Sequence, residues 1–334
     1  MFACQAKLIL RARCAISVGR AGEGGGMHRT MEASAEWFRH PGTATVLGVV
    51  GGVGFAGLLL AVVLVSGRPS PAAQGLAALS ITVLVIHAVL AYGLVEAGIF
   101  FGLCVTVTFA LENLGVATGF PFGHYAFLVA PDLPYVGAIP IIVGPLYFGI
   151  GYPSWVMACL ILGRTGMRPN DRFSLFALPI AAAFATVQWD VVMDPPNATL
   201  WRAWVWYRGG GFFGVPLSNF LGWFLTTWTF FQLIALALFA RPAKARSSRP
   251  RTFWLLPILL YLAAGFSQIA PWLTDGGGRV TDPGGGVWSA ADLRETAVIV
   301  MLFTMLPTAT LALLRLFDVP DAGTAARRAP NEFA

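Results

Sequence analysis

Phe173 to Gln188 (FSLFALPIAAAFATVQ) runs without a charge into Trp189-Asp190-Val191-Val192-Met193-Asp194-Pro195-Pro196. The stretch is long and apolar enough to lie in a membrane span, yet it carries two carboxylates near its end. On a helix, residues four apart share one face, so Asp190 and Asp194 point the same way. An ionisable side chain at membrane depth is costly and rare, and it marks a functional site by default. A third acid, Glu112, lies in another apolar run, Val105 to Val116.

The rest of the chain belongs to the same class. Hydrophobic residues make up 57% of the 334 and charged residues 11%, whereas a soluble domain carries about 25% charged residues. The mean hydropathy is +0.70. The apolar residues are spread over many segments, which predicts an all-α, polytopic membrane bundle and excludes a soluble domain on one anchor. The net charge of +6 therefore reports orientation and not a nucleic-acid partner.

Eight stretches are long enough to span: 44–66, 72–95, 97–117, 137–163, 173–195, 214–240, 252–273 and 296–317. The second and third are nearly continuous, with a break expected around Glu96-Ala97-Gly98. One integral-membrane domain is expected over 44–317. A basic, disordered leader (1–43) precedes it and a disordered tail (318–334) follows. Met27 and Met31 compete with Met1 as the start. Most basic residues fall in the leader, in 164–172, in the solvated linker 241–251 and in the C-terminal end. Arg68, Arg202, Arg208, Arg279 and Arg294 are left for the other side. With eight spans the two sets separate cleanly, and the positive-inside rule puts both termini in the cytoplasm of a bacterial cell.

Cys4, Cys14, Cys104 and Cys159 form no close pair. They read as small buried hydrophobes, and neither a disulfide framework nor a metal site is expected. The Gly-rich stretch 276–286 reads as a flexible external loop. It is no phosphate cradle, because it lacks the Gly-Lys-Ser/Thr ending.

With eight spans, Glu112, Asp190, Asp194 and Asn219 come to one side at similar depth from three helices. The loops above them are aromatic and rich in Gly and Pro: Thr118 to Tyr125, with His124 and Tyr125, and Trp201 to Pro216, with Trp204 and Trp206. These read as re-entrant or interfacial pieces, which membranes tolerate where they line a protein cavity. Competing readings stand beside these. The tryptophans also suit an interfacial belt. Asp194 before two prolines also suits a solvated helix end, and Asn219 also suits interhelical glue. His87 reads as a packed interhelical donor, and Glu96 as structural.

A protonated acid in an apolar pocket can donate its proton to a weak base such as a trisubstituted alkene. Aromatic faces stabilise the resulting tertiary cation, and an ionised second carboxylate orients the water that adds to it. Glu112, Asp190 and Asp194 are the candidate catalytic acids. Asn219, His124, Tyr125, Trp189, Trp204 and Trp223 are the candidate substrate-binding residues. The reaction needs no metal and no cofactor. Without the water, the same parts make a cyclase. With Mg²⁺ on the carboxylates, they would serve a prenyl diphosphate.

Glu112-Asn113-Leu114-Gly115, Thr118-Gly119, Phe122-Gly123-His124-Tyr125, Asp190 to Pro195 and Gly211-Phe212-Phe213-Gly214-Val215-Pro216-Leu217-Ser218-Asn219-Phe220-Leu221-Gly222-Trp223 together resemble the membrane carotenoid hydratase family. Its members include carotenoid 1,2-hydratases and bisanhydrobacterioruberin hydratases. The resemblance covers roughly residues 90–320. It implies addition of water to the terminal double bond of an acyclic carotenoid end, with a carotenoid substrate, surrounding membrane lipid and other pathway enzymes as partners. Two rivals stay open. Asp190-x-x-x-Asp194 resembles half of the aspartate-rich signature of UbiA-like prenyltransferases, but a second such motif is missing. Buried acids also serve proton-coupled transporters, but no inverted repeat of spans is evident.

Overall fold

The computed structural model describes residues 41–128, 133–164, 166–242 and 249–318. The expected leader ahead of residue 41, the competing start methionines and the expected tail beyond residue 318 lie outside the described residues. The chain divides after Gly57 into two compact units, and the second carries everything that follows α1.

The helices are α1 (Pro41–Val65), α2 (Pro71–Tyr92), α3 (Leu94–Thr118), α4 (Val143–Ile161), α5 (Arg172–Pro195), α6 (Leu217–Phe239), α7 (Arg251–Phe266), α8 (Ile269–Thr274), α9 (Ala290–Val300) and α10 (Leu306–Asp318). A π-helical turn, Pro196–Leu200, extends α5, and another, Met301–Met305, joins α9 to α10. Among the described residues, seven stretches are long and apolar enough to cross a membrane: one each in α1, α2, α3 and α6, α5 with its π-turn, α7 with α8, and α9 through α10. The outward faces agree with that environment. Phe173, Phe176, Phe184, Leu221, Phe303 and Leu314 all stand more than half exposed, a density of bare apolar side chains that fits lipid and not water. The molecule is an integral membrane helical bundle.

The remaining long helix, α4, falls outside that set because Gly, Pro, Ser, Tyr and Trp interrupt its apolar residues. Its 19 residues reach about 28 Å, close to the thickness of a hydrocarbon core. It packs against α2, α3, α5, α7 and α10, and Ile150 to Leu160 are buried without a break. Phe148 stacks on Tyr152, and Trp155 stacks on Phe231 of α6. A helix surrounded by protein has no lipid-facing side to keep apolar.

Local chemistry sets the helix ends. Asp171 and Ser174 form a reciprocal capping box that starts α5. Pro195 and Pro196 carry no N–H, so the regular i to i−4 ladder fails there and the chain widens into the π-turn. The break between the second and third spans falls at Gly93 and not at Glu96-Ala97-Gly98. Gly93 takes φ 91°, where a side chain would be strained, and Gly98 is inside α3.

Among the described residues, three short antiparallel pairs sit in the loops. Strand β1 (Tyr125–Phe127) pairs with β4 (Trp204–Trp206), β2 (Tyr135–Val136) with β3 (Ile139–Pro140), and β5 (Arg279–Thr281) with β6 (Val287–Ser289). The last pair corrects the expectation of a flexible loop over 276–286. The Asp282 carboxylate accepts from Gly286 N–H at 3.0 Å and from the Trp288 indole at 2.6 Å, pinning the turn between β5 and β6. His87 is a packed interhelical group as expected. Its ring lies 2.8 Å from the Tyr152 hydroxyl and 2.9 Å from the Phe253 carbonyl. Cys104 and Cys159 are buried free thiols.

Candidate functional site

Glu112 lies less than two turns from the end of α3, Asp190 and Asp194 lie at the end of α5, and Asn219 lies in the first turn of α6. These ends meet because α6 packs against both α5 and α3. All four side chains are inside: Asp190 is 0% exposed, Asp194 1%, Asn219 2% and Glu112 4%. Burial this complete rules out the reading of Asp194 as a solvated helix end.

The Asn219 amide donates to both aspartates, to Asp190 Oδ2 at 3.1 Å and to Asp194 Oδ2. The shared amide holds the two carboxyl groups side by side. Asp190 Oδ1 is buried with no donor from the surrounding residues.

Glu112 has a different setting. The Tyr125 hydroxyl donates to its Oε2, and the Tyr147 hydroxyl donates to its Oε1 at 2.6 Å. Both carboxyl oxygens therefore act as acceptors. Burial, and then the neighbouring Glu112 and Asp194 carboxyls, push the Tyr125 phenol well above its ordinary range, so it stays a donor.

Glu112, Asp194 and Asn219 open onto a cavity of about 320 Å³, and Asp190, off its wall, is joined to Asp194 through the Asn219 amide. Its wall at this end is aromatic: Phe122, Tyr125, Trp189, Trp204, Trp206 and Trp223. Tyr147 stacks on Trp223 at 4.0 Å and 11°, and Trp189 meets Trp223 edge-on at 5.9 Å. The far end is more polar, with Ser66, Ser70, Gln74, Ser267 and Gln268. Arg68 also borders that end, where it is paired with Asp275.

The aromatic loops form the roof. In β1 and β4, alternate side chains face the cavity, so Tyr125, Phe127, Trp204 and Trp206 line it while Ala126 and Val205 do not. The Trp206 indole and the Ser218 hydroxyl both donate to the Phe122 carbonyl. Phe122 itself fits between two glycines. A Cβ on Gly115 would stand 2.6 Å from its ring, and one on Gly222 would stand 2.5 Å from it. Asn113 secures the β2–β3 hairpin, donating to the Val136 carbonyl and accepting from Ala138 N–H.

The structure thus gathers eight of the nine candidate residues: seven on the cavity wall, and Asp190 joined to them through Asn219. His124 is the exception, exposed over Gly119 and away from the cavity. Its position before Tyr125 on a strand turns it outward. Trp201 is also exposed and off the wall. Tyr147 and Phe122 also contact this cluster, and neither was among the candidate residues. The signal for Tyr147 was a hydroxyl in mid-span. For Phe122 it was the spacing of Gly115 and Gly222 around an aromatic loop. For a diphosphate site, basic groups beside the acids are missing among the described residues: Arg202 is exposed and donates to the Thr281 carbonyl, and Arg208 is exposed.

Comparison with known proteins agrees with this architecture. No solved structure matches the chain. The chain is similar to a bisanhydrobacterioruberin hydratase of Haloarcula japonica (strain ATCC 49778), with 28% identity over 120 residues, which is 36% of this chain and 38% of that protein. The match thus spans well under two thirds of the relative's length. The family model described as carotenoid biosynthesis protein matches residues 73–274, more than half of the chain and all of the described cavity apart from its edge at α1 and the loop after it. The chain belongs to the carotenoid biosynthesis protein family.

Proposed function

We propose that this protein is a carotenoid hydratase, a lyase that adds water to the terminal double bond of an acyclic carotenoid end. The observation that carries the reading is the pairing of two chemically different acid groups at the aromatic end of one apolar cavity. Asp194, sharing a proton with Asp190, protonates the less substituted alkene carbon. The positive charge develops on the tertiary carbon, against the faces of Trp189, Trp223 and Trp204. Glu112, already accepting from two tyrosine hydroxyls, holds a water and takes its proton as the oxygen bonds to the cation. The net change is one water added, with the acids restored once the proton returns to the aspartate pair. Family membership supports the carotenoid substrate, and the similarity to a hydratase supports the reaction. A cavity of this size is near the lower end of the usual range for ligand sites, about 300–1,000 Å³. It suits an end group and not a whole polyene. The distribution of Lys and Arg supports cytoplasmic termini, a bacterial cytoplasmic membrane and an acid cluster on the outer side.

The test is expression in a bacterial host that accumulates acyclic or one-end-cyclised carotenoids, with mass analysis of the extracted pigments. The expected product gains the mass of one water with an unchanged chromophore. Asp194→Asn and Glu112→Gln should accumulate in membranes and give none. Full turnover by both variants would overturn the acid–base assignment.

A further inference from the structure

We propose that the carotenoid reaches the acids sideways from the bilayer, through a portal between α2 and α7, and that this portal holds the polyene shaft during reaction. The inference rests on the carotenoid reading of the cavity but not on hydration as the reaction.

Near one end, α2 and α7 touch where the His87 ring stacks on Phe253 at 3.9 Å. Beyond their other ends, Arg68 reaches across to Asp275, with Nε 3.1 Å from Oδ1, and to the Thr274 hydroxyl at 2.5 Å. The loop between α1 and α2 also lies so close to the end of α7 that a Cβ on Gly67 would stand 2.1 Å from the Ser267 carbonyl oxygen. Between these two clasps, the cavity separates the helices. Ala77, Ser80 and Leu84 line it from α2, Leu260 and Ala264 line it from α7, and Gly149 of α4 stands behind. Ala77 and Ala264 are partly exposed and carry short side chains, and Val62 at the end of α1 lines the same cavity. The buried Ser80 hydroxyl there has no partner.

Depth decides what the opening can admit. From Pro71 at the start of α2, the lining residues Ala77 to Leu84 lie about 9 to 20 Å along the helix, a range that reaches into a hydrocarbon core of about 30 Å. Water and ions are scarce at that depth, and apolar chains dissolved in the bilayer are abundant. A linear polyene threaded between α2 and α7 would place its end among Trp189, Trp223 and Asp194, while the rest of the chain stays in lipid.

The experiment is pigment retention. The protein is made in a host rich in long acyclic carotenoids and purified in mild detergent, and the pigment-to-protein ratio is read by absorbance. Ala77→Phe and Ala264→Phe fill the opening and should lower the ratio roughly tenfold or more. Leu79→Phe, on the lipid-facing side of α2, should leave it unchanged. Wild-type pigment levels in both plugged variants, equal loss in Leu79→Phe, or a wild-type protein without pigment would each overturn the portal. The two readings separate cleanly. Unhydrated pigment held by wild type and displaced by Ala77→Phe keeps the portal and removes the hydratase. Hydrated product with ineffective plugs does the reverse.

Discussion

At the scale of single residues, the site divides its acids by their hydrogen bonds. Asp190 and Asp194 share one amide, and Glu112 takes two hydroxyls. Tyr147→Phe removes one of those hydroxyls and leaves the ring stacked on Trp223. A hydrogen bond to a charged group contributes about 1.5–3 kcal/mol, so turnover should fall by roughly tenfold to a hundredfold in a protein that still accumulates normally. Pigment conversion per unit of membrane protein measures it, and unchanged conversion would remove Tyr147 from the mechanism. The acids were legible in the sequence because charge is so rare in an apolar span. Tyr147 was not, since tyrosine in such a run is unremarkable until its partner is known. His124 failed for a different reason. A one-residue offset on a two-residue period decides inside from outside, and no sequence feature showed that 125–127 is a strand.

At the scale of elements, the spans could be read from hydropathy almost to their ends, whereas the roof could not. The β1–β4 pairing joins segments about eighty residues apart, and its signature is spread over two loops that look merely aromatic. Phe122 links that roof to the helices below. Gly222→Leu would drive a side chain into the Phe122 ring, and overpacking of this kind costs about 1–3 kcal/mol. The thermal midpoint in detergent should drop, and activity should fall further than stability because the roof carries Tyr125 and Trp204. A variant as stable as the parent would show that Phe122 can move aside freely. The Gly-rich stretch was misread for want of one partner: Asp282 organises it, and an aspartate in a loop gives no sign of which N–H groups it will collect.

At the scale of the whole molecule, the Arg68–Asp275 pair fastens the loop after α1 to the end of α8, with Arg294 3.7 Å from the same carboxylate. The hydrogen bond and charge of Arg68 hold the Asp275 carboxyl below its ordinary 3.8. A carboxyl lowered in the folded state stabilises fully above its unfolded value, and that contribution is lost as pH falls through the lower folded value. Asp275→Asn should therefore lower the thermal midpoint at pH 6 to 8 by a small amount, since a partly exposed pair contributes about 1 kcal/mol or less. The difference from the parent should vanish in strong acid. A gap between the two proteins that widened on acidification would show that the pair is not the clasp described.

Helix α4 has a consequence for how the molecule is made. A nascent segment enters lipid from the translocation channel by its own greasiness, and this one, with Tyr147, Tyr152, Pro153 and Ser154 among its residues, is a weak candidate on its own. It is held by α2 and α3, synthesised before it, and by α5, α7 and α10, synthesised after it. The segment least able to enter lipid by itself is thus the one that the finished bundle encloses on every side, so its residence in the membrane is a property of the assembly and not of its own sequence.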